Sequence, residues 1–128
     1  VEAGLLRDPY EQIGSLQSEL FRAARLVVDT GLHSKKWTRE EAIIYMMDNA
    51  GEVRSESESE IERYIVWPGQ ATSYMIGRIK IMELRERAKA ELGNRFNIKD
   101  FHSVVLMNGI LPLTVLEALV DQYIKENS

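Results

Sequence analysis

Two guanidinium groups three residues apart, Arg22 and Arg25, stand between two carboxylates, Glu19 and Asp29, in the segment Glu19-Leu20-Phe21-Arg22-Ala23-Ala24-Arg25-Leu26-Val27-Val28-Asp29-Thr30-Gly31-Leu32-His33. An arginine fork donates in the plane in which a carboxylate or phosphate accepts, so paired forks on one helix face suit the holding of an anion. At about 100° per residue the four charges share one stripe, with Leu20, Ala24, Val27 and Val28 away from it. The spacing also permits Glu19/Arg22 and Arg25/Asp29 ion pairs, each worth about 0.2–0.5 kcal/mol when exposed, which is too little to hold the helix together. Periodicity leaves two readings open. One is the solvated face of an amphipathic helix; the other is a pair of guanidiniums lining a cleft, braced by carboxylates and aimed at an anionic group.

Other chemistries find little material. His33 and His102 lie far apart, and neither sits in a metal-ligand spacing such as His-Glu-x-x-His, so no metal site is expected within this chain. There is no Gly-x-Ser-x-Gly elbow, phosphate-cradling glycine loop or dinucleotide fingerprint. The absence of cysteine removes disulfides and thiolate sites and leaves the compartment open. A net charge of −4 gives no clustered cationic surface for nucleic acid, so no nucleic-acid partner is expected. No apolar run approaches the roughly 20 residues that span a bilayer, and the N-terminus lacks the layout of a signal peptide. Val1 is not an initiator methionine, which reads as a chain cut from something longer.

The elements that must position these residues are helical throughout. The 128 residues, 45% apolar and 28% charged, are enough for one packed domain over 1–128. Leu5 and Leu6 look like the tail of a preceding element. Asp8-Pro9-Tyr10-Glu11 is a capping box with proline at the first helical position, and it starts a helix expected to run from Pro9 to about Thr30. Gly31 is placed to end it in the left-handed conformation, and Gly14 to permit a close helix contact. Thr38-Arg39-Glu40-Glu41 opens a second helix, carrying Ala42, Ile43, Tyr45, Met46 and Met47 and stopping near Asn49 to Gly51. Ser55 or Ser57 is expected to cap a third helix over Ile61, Tyr64 and Ile65. Trp67-Pro68-Gly69-Gln70 breaks it.

A fourth helix is predicted from about Gln70 to Leu92, enclosed on several sides in its first half and on the surface in its second, where Arg85, Glu86, Arg87, Lys89 and Glu91 cluster. Gln70, Tyr74, Gly77 and Ile81 share a face of it. Asn97 begins a fifth helix that ends at Asn108-Gly109, with His102 on its exposed side, and Pro112 opens a sixth through Tyr123. No segment alternates as a strand does. The expected fold is all-α, a bundle of five to six helices.

The segment from Glu19 to His33, then Trp37-Thr38, then Trp67-Pro68-Gly69-Gln70-Ala71 with Ser73-Tyr74 and Gly77, resembles the C-terminal part of DUF885, a bacterial family of unknown function whose members look like zinc metallopeptidases of the mostly helical gluzincin type. Asp8-Pro9-Tyr10-Glu11 and Asn108-Gly109 with Leu111-Pro112-Leu113 fit the same family's tail. Ser73-Tyr74 with Gly77 is also similar to the Pro-Thr-Tyr-x-x-Gly segment of helical metallocarboxypeptidases, with Thr72 in place of the proline.

The resemblance implies a C-terminal lobe of a larger helical protein that completes a substrate cleft. The zinc-binding histidines and catalytic glutamate of such proteins lie upstream of this region, so zinc is implied for the parent and no cofactor for this chain. It further implies Tyr74 and His33 as donors to the oxyanion that develops on a peptide carbonyl. Arg22, Arg25 and Gln70 are the implied substrate-binding residues. The implied partners are the remainder of the parent polypeptide and a peptide substrate, and the implied location is the bacterial periplasm or cell envelope, with cytoplasm as the alternative. A noncatalytic helical interaction module, or a pseudoenzyme lobe whose parent has lost its zinc ligands, is the competing reading.

Overall fold

The computed structural model describes residues 8–128, and the expectation for Leu5 and Leu6 lies outside them. The described residues form six α-helices and a short 3₁₀ turn, with no strand. They are α1 (Pro9–Ser34), α2 (Arg39–Ala50), α3 (Arg54–Val66), α4 (Ser73–Leu92), the 3₁₀ turn (Gly93–Arg95), α5 (Ile98–Leu106) and α6 (Leu113–Asn127). The all-α expectation holds. The chain gathers into two compact units, the first ending at Ile76 and the second spanning Gly77–Ser128.

In the first unit, Ala24 and Val28 of α1 meet Ala42, Ile43, Met46 and Ala50 of α2, Ile61 and Tyr64 of α3, and Ala71 of the turn before α4. The entries to α1 and α2 are capping boxes, in which Asp8 and Thr38 accept from the helix backbone while Glu11 and Glu41 accept from the cap residue's own amide. Gly51 ends α2 at a φ of 69°, in the left-handed region open to glycine.

Three expectations fail in this unit. The first helix does not stop at Gly31 but runs to Ser34, with Lys35 as its cap. Gly31 is helical and buried there because the ring of Trp37 lies against it, leaving no room for a side chain. Gly14 mediates no close contact among the described residues, none of which comes within 4 Å of the place its Cβ would take. Neither Ser55 nor Ser57 caps α3, which begins behind Val53 without a side-chain cap. Ser57 lies inside the helix, fully buried, and its Oγ has no hydrogen-bond partner among the described residues.

In the second unit, Leu84, Ala88 and Leu92 form one face of α4 at spacings of four and pack with Phe101 of α5 and Leu116, Val120, Tyr123 and Ile124 of α6. Asn97 caps α5 by accepting from the Lys99 amide at 2.9 Å. His102 is exposed, as expected.

The two halves of α4 reverse the expectation. Helical structure starts at Ser73, after a turn at Gln70–Thr72, and the apolar first half leaves Tyr74, Ile76 and Ile79 exposed. The charge-rich second half carries the buried face. Three small or branched apolar residues at spacings of four outweigh the charges between them, because those charges point elsewhere around the helix.

Candidate functional site

Three residues one turn apart on α1 hold the stretch that joins α3 to α4. Arg25 donates from Nη2 to Oε1 of Gln70 at 3.0 Å. Asp29 accepts the Gly69 amide on both carboxylate oxygens, at 3.1 and 3.0 Å. His33 meets the carbonyl of Tyr64, in the last turn of α3, through Nε2 at 2.9 Å. The arrangement follows from i, i+4, i+8 spacing, which puts the three side chains on one stripe.

Gly69 has a φ of 81°, as a glycine after proline has in a type II turn. That bend presents its N–H to Asp29 and the next side chain, Gln70, to Arg25. Local turn chemistry and the α1 stripe thus agree on one path for residues 64–70.

The stripe is not a solvated face. Arg25 is only 7% exposed and Asp29 only 4%, and both are turned toward the connection between α3 and α4. The expected Arg25/Asp29 ion pair is replaced, because each group reaches for the turn instead of its neighbour on the helix. A carboxylate and a guanidinium taken out of water need close partners, and the turn supplies them. Arg25 also has aromatic rings around it, with its guanidinium carbon 5.8, 5.5 and 5.1 Å from the ring centres of Phe21, Tyr64 and Tyr74. Its Nε is buried and has no hydrogen-bond partner among the described residues.

Tyr74 lies over both arginines. Its ring centre is 5.4 Å from the Arg22 guanidinium carbon and 5.1 Å from that of Arg25. Arg22 is half-buried and donates from Nη1 to the Ser18 carbonyl at 2.7 Å and to the Ser18 hydroxyl. Tyr74 itself is 51% exposed, and its hydroxyl makes no hydrogen bond among the described residues.

Four of the five sequence-derived residues therefore meet: Arg22, Arg25, Gln70 and Tyr74. His33 stands apart, eight residues or roughly 12 Å along α1 from Arg25, and is occupied with the end of α3.

Three participants were missed in the sequence. Arg63 donates from Nη1 to the same Gln70 oxygen at 3.2 Å and from Nη2 to Glu60 at 2.5 Å. Glu60 also accepts the Tyr64 hydroxyl. Burial pushes the Tyr64 phenol upward, and the Glu60 carboxylate adds to the shift while Arg25 and Arg63 oppose it. The available signal was the i, i+3, i+4 spacing of Glu60, Arg63 and Tyr64, which puts all three on one face of α3.

Chemically, the cluster places guanidinium and amide groups beside an exposed phenol, groups of the kind that hydrogen-bond to anions. It does not offer a metal site. No group of three or more His, Cys, Asp or Glu side chains among the described residues is placed to hold an ion, and the two histidines fall in different units.

These features define a class: an all-helical domain that carries a cluster of arginine, glutamine and tyrosine side chains. The chain belongs to DUF885, a family of bacterial proteins of unknown function, whose model matches residues 1–120. It is similar to a solved structure described as "the putative lipoprotein from Colwellia psychrerythraea", with 54% identity and a TM-score of 0.90 over 93% of this chain and 20% of that chain. The chain thus spans about one fifth of the length of that protein. Comparison with curated proteins gives no match.

Proposed function

We propose that this chain forms the substrate-cleft lobe of a bacterial zinc-dependent peptidase-like protein. In this reading Arg22, Arg25 and Gln70 orient a substrate carboxylate, and Tyr74 donates a hydrogen bond to the oxyanion formed when a peptide carbonyl is attacked. The observation that carries the proposal is the seating of the exposed Tyr74 ring on both guanidiniums, with Gln70 bonded to the second. Cation–π contacts of this kind contribute about 0.5–2 kcal/mol each and hold the phenol without engaging its hydroxyl.

His33 has a more restricted part. A carbonyl can only accept, so Nε2 carries the proton that meets Tyr64. That bond commits Nε2 to Tyr64, so His33 donates to an oxyanion through Nε2 only after releasing Tyr64.

The described residues hold no group of side chains that fits a zinc site, so in this reading a zinc ion in the parent takes ligands from elsewhere in the polypeptide. The lipoprotein description of the Colwellia psychrerythraea protein supports an envelope location for the parent. No helix among the described residues is long and apolar enough to cross a membrane.

The test is Tyr74→Phe in the longer parent, assayed on a panel of peptides. Turnover is expected to fall by about 10²-fold, the usual effect of losing one oxyanion donor, with the thermal midpoint unchanged. Undiminished turnover removes Tyr74 from the mechanism. A well-folded parent that cleaves no peptide with or without added zinc favours the noncatalytic module.

A further inference from the structure

The first half of α1 is a helical arm with no core beneath it among the described residues. No residue from Asp8 to Leu20 is buried, and Tyr10, Ile13, Leu16 and Leu20 are 83%, 60%, 63% and 49% exposed. At about 100° per residue, Ile13, Leu16 and Leu20 lie within roughly 60° of one another, and Tyr10 flanks them. Gln17 is the polar residue among them, while Glu11, Ser15, Ser18 and Glu19 occupy the other side. A helix of about three turns is marginal in water when nothing packs on it, and it is weaker still with Gly14 in its middle. An amphipathic stripe of this kind belongs to a helix whose apolar face is covered.

A second copy of the chain is a poor cover. The four side chains would bury roughly 300 Å² per copy at about 25 cal/mol per Å². Stable association needs about 800 Å² from each partner. Contact within one polypeptide has no such threshold, because joined segments lose little translational and rotational freedom on docking. The matched Colwellia psychrerythraea protein has such chain to offer, since only 20% of it corresponds to this sequence.

We propose that the Tyr10, Ile13, Leu16 and Leu20 stripe is an intramolecular docking surface, seated in an apolar groove built by parent chain outside residues 1–128. The proposal rests on the reading of this chain as one lobe of a longer protein, though not on peptidase activity, since it concerns only how the lobe is held.

The sequence contains no cysteine, so single thiols placed in it are clean reporters. Ile13→Cys, Leu16→Cys and, on the opposite side, Ser15→Cys are compared in the parent, with any cysteines outside residues 1–128 replaced by serine. In the parent, thiols at 13 and 16 should react about ten-fold more slowly than the thiol at 15. In the 128-residue chain alone all three should react alike. Equal rates in the parent overturn the proposal. So does protection in the isolated chain that grows with its concentration, which would assign the stripe to a second copy. Should the cysteine variants fail to fold, amide hydrogen exchange in the unmodified proteins decides: slow exchange over residues 9–20 in the parent and fast exchange in the isolated chain supports docking. Fast exchange in both rejects it.

Discussion

Gly31 shows what one side chain decides here. An added Cβ would stand 2.4 and 2.5 Å from Cε3 and Cδ2 of Trp37, so hydrogen at this position lets the indole rest on the helix backbone. The Trp37 amide donates to the Gly31 carbonyl at 3.0 Å, and its ring lies 5.4 Å from that of Tyr45, so α1, the connecting loop and α2 converge on one contact. Gly31→Ala is expected to cost about 1–3 kcal/mol, the usual range for overpacking, read from urea unfolding by tryptophan fluorescence. Gly14→Ala in the same helix meets open space and should raise helix content, with a local gain of up to about 1 kcal/mol. A Gly31→Ala protein as stable as the original would mean that Trp37 packs elsewhere.

Among the elements, α2 has an entry that is sensitive to pH. Glu41 accepts the Thr38 amide at 2.7 Å and the Thr38 hydroxyl at 2.8 Å. These bonds, the backbone one foremost, hold its carboxyl below the ordinary value of 4.5. A carboxyl lowered in the folded state contributes stability that is fully present above its unfolded value and is lost as pH falls through the folded one. The thermal midpoints of the original protein and Glu41→Gln should therefore differ at neutral pH and converge as pH is lowered progressively below the ordinary value of 4.5. A gap that stays constant over that range would show that the ionised carboxylate contributes nothing to the cap. The Arg25, Asp29 and His33 stripe acts at the same scale, since α1 uses three side chains to hold a turn that supplies only one in return, Gln70.

At the scale of the whole molecule, two separate cores predict two separable transitions. Both tryptophans, Trp37 and Trp67, belong to the first unit, so fluorescence reports that unit, whereas circular dichroism reports the helices of both. Leu84 is fully buried in the second core. Leu84→Ala should destabilise that core by about 2–5 kcal/mol and shift the dichroism transition to lower urea, leaving the fluorescence transition in place. If both signals shift together, the two units unfold as one cooperative structure.

Capping boxes at Asp8 and Thr38, the cap at Asn97 and left-handed glycines at positions 51 and 109 were legible from the chain, as was the all-helical class. Each is settled by groups within a few residues of one another, so its physics is contained in a short window of sequence. The candidate residues Arg22, Arg25, Gln70 and Tyr74 were legible as types, but neither their meeting nor the burial of Arg25 was. Gln70 lies 45 residues from Arg25, and the stripe on α1 carried two compatible readings until the turn at Gly69 was placed against it. The same holds for Gly31, read as a helix end until Trp37 covered it, and for the charged half of α4, whose buried face appeared only when α5 and α6 packed there. Backbone preferences and caps act locally and could be read in order, whereas burial of a charge or a glycine depends on which distant surface arrives, and only the tertiary structure decided that.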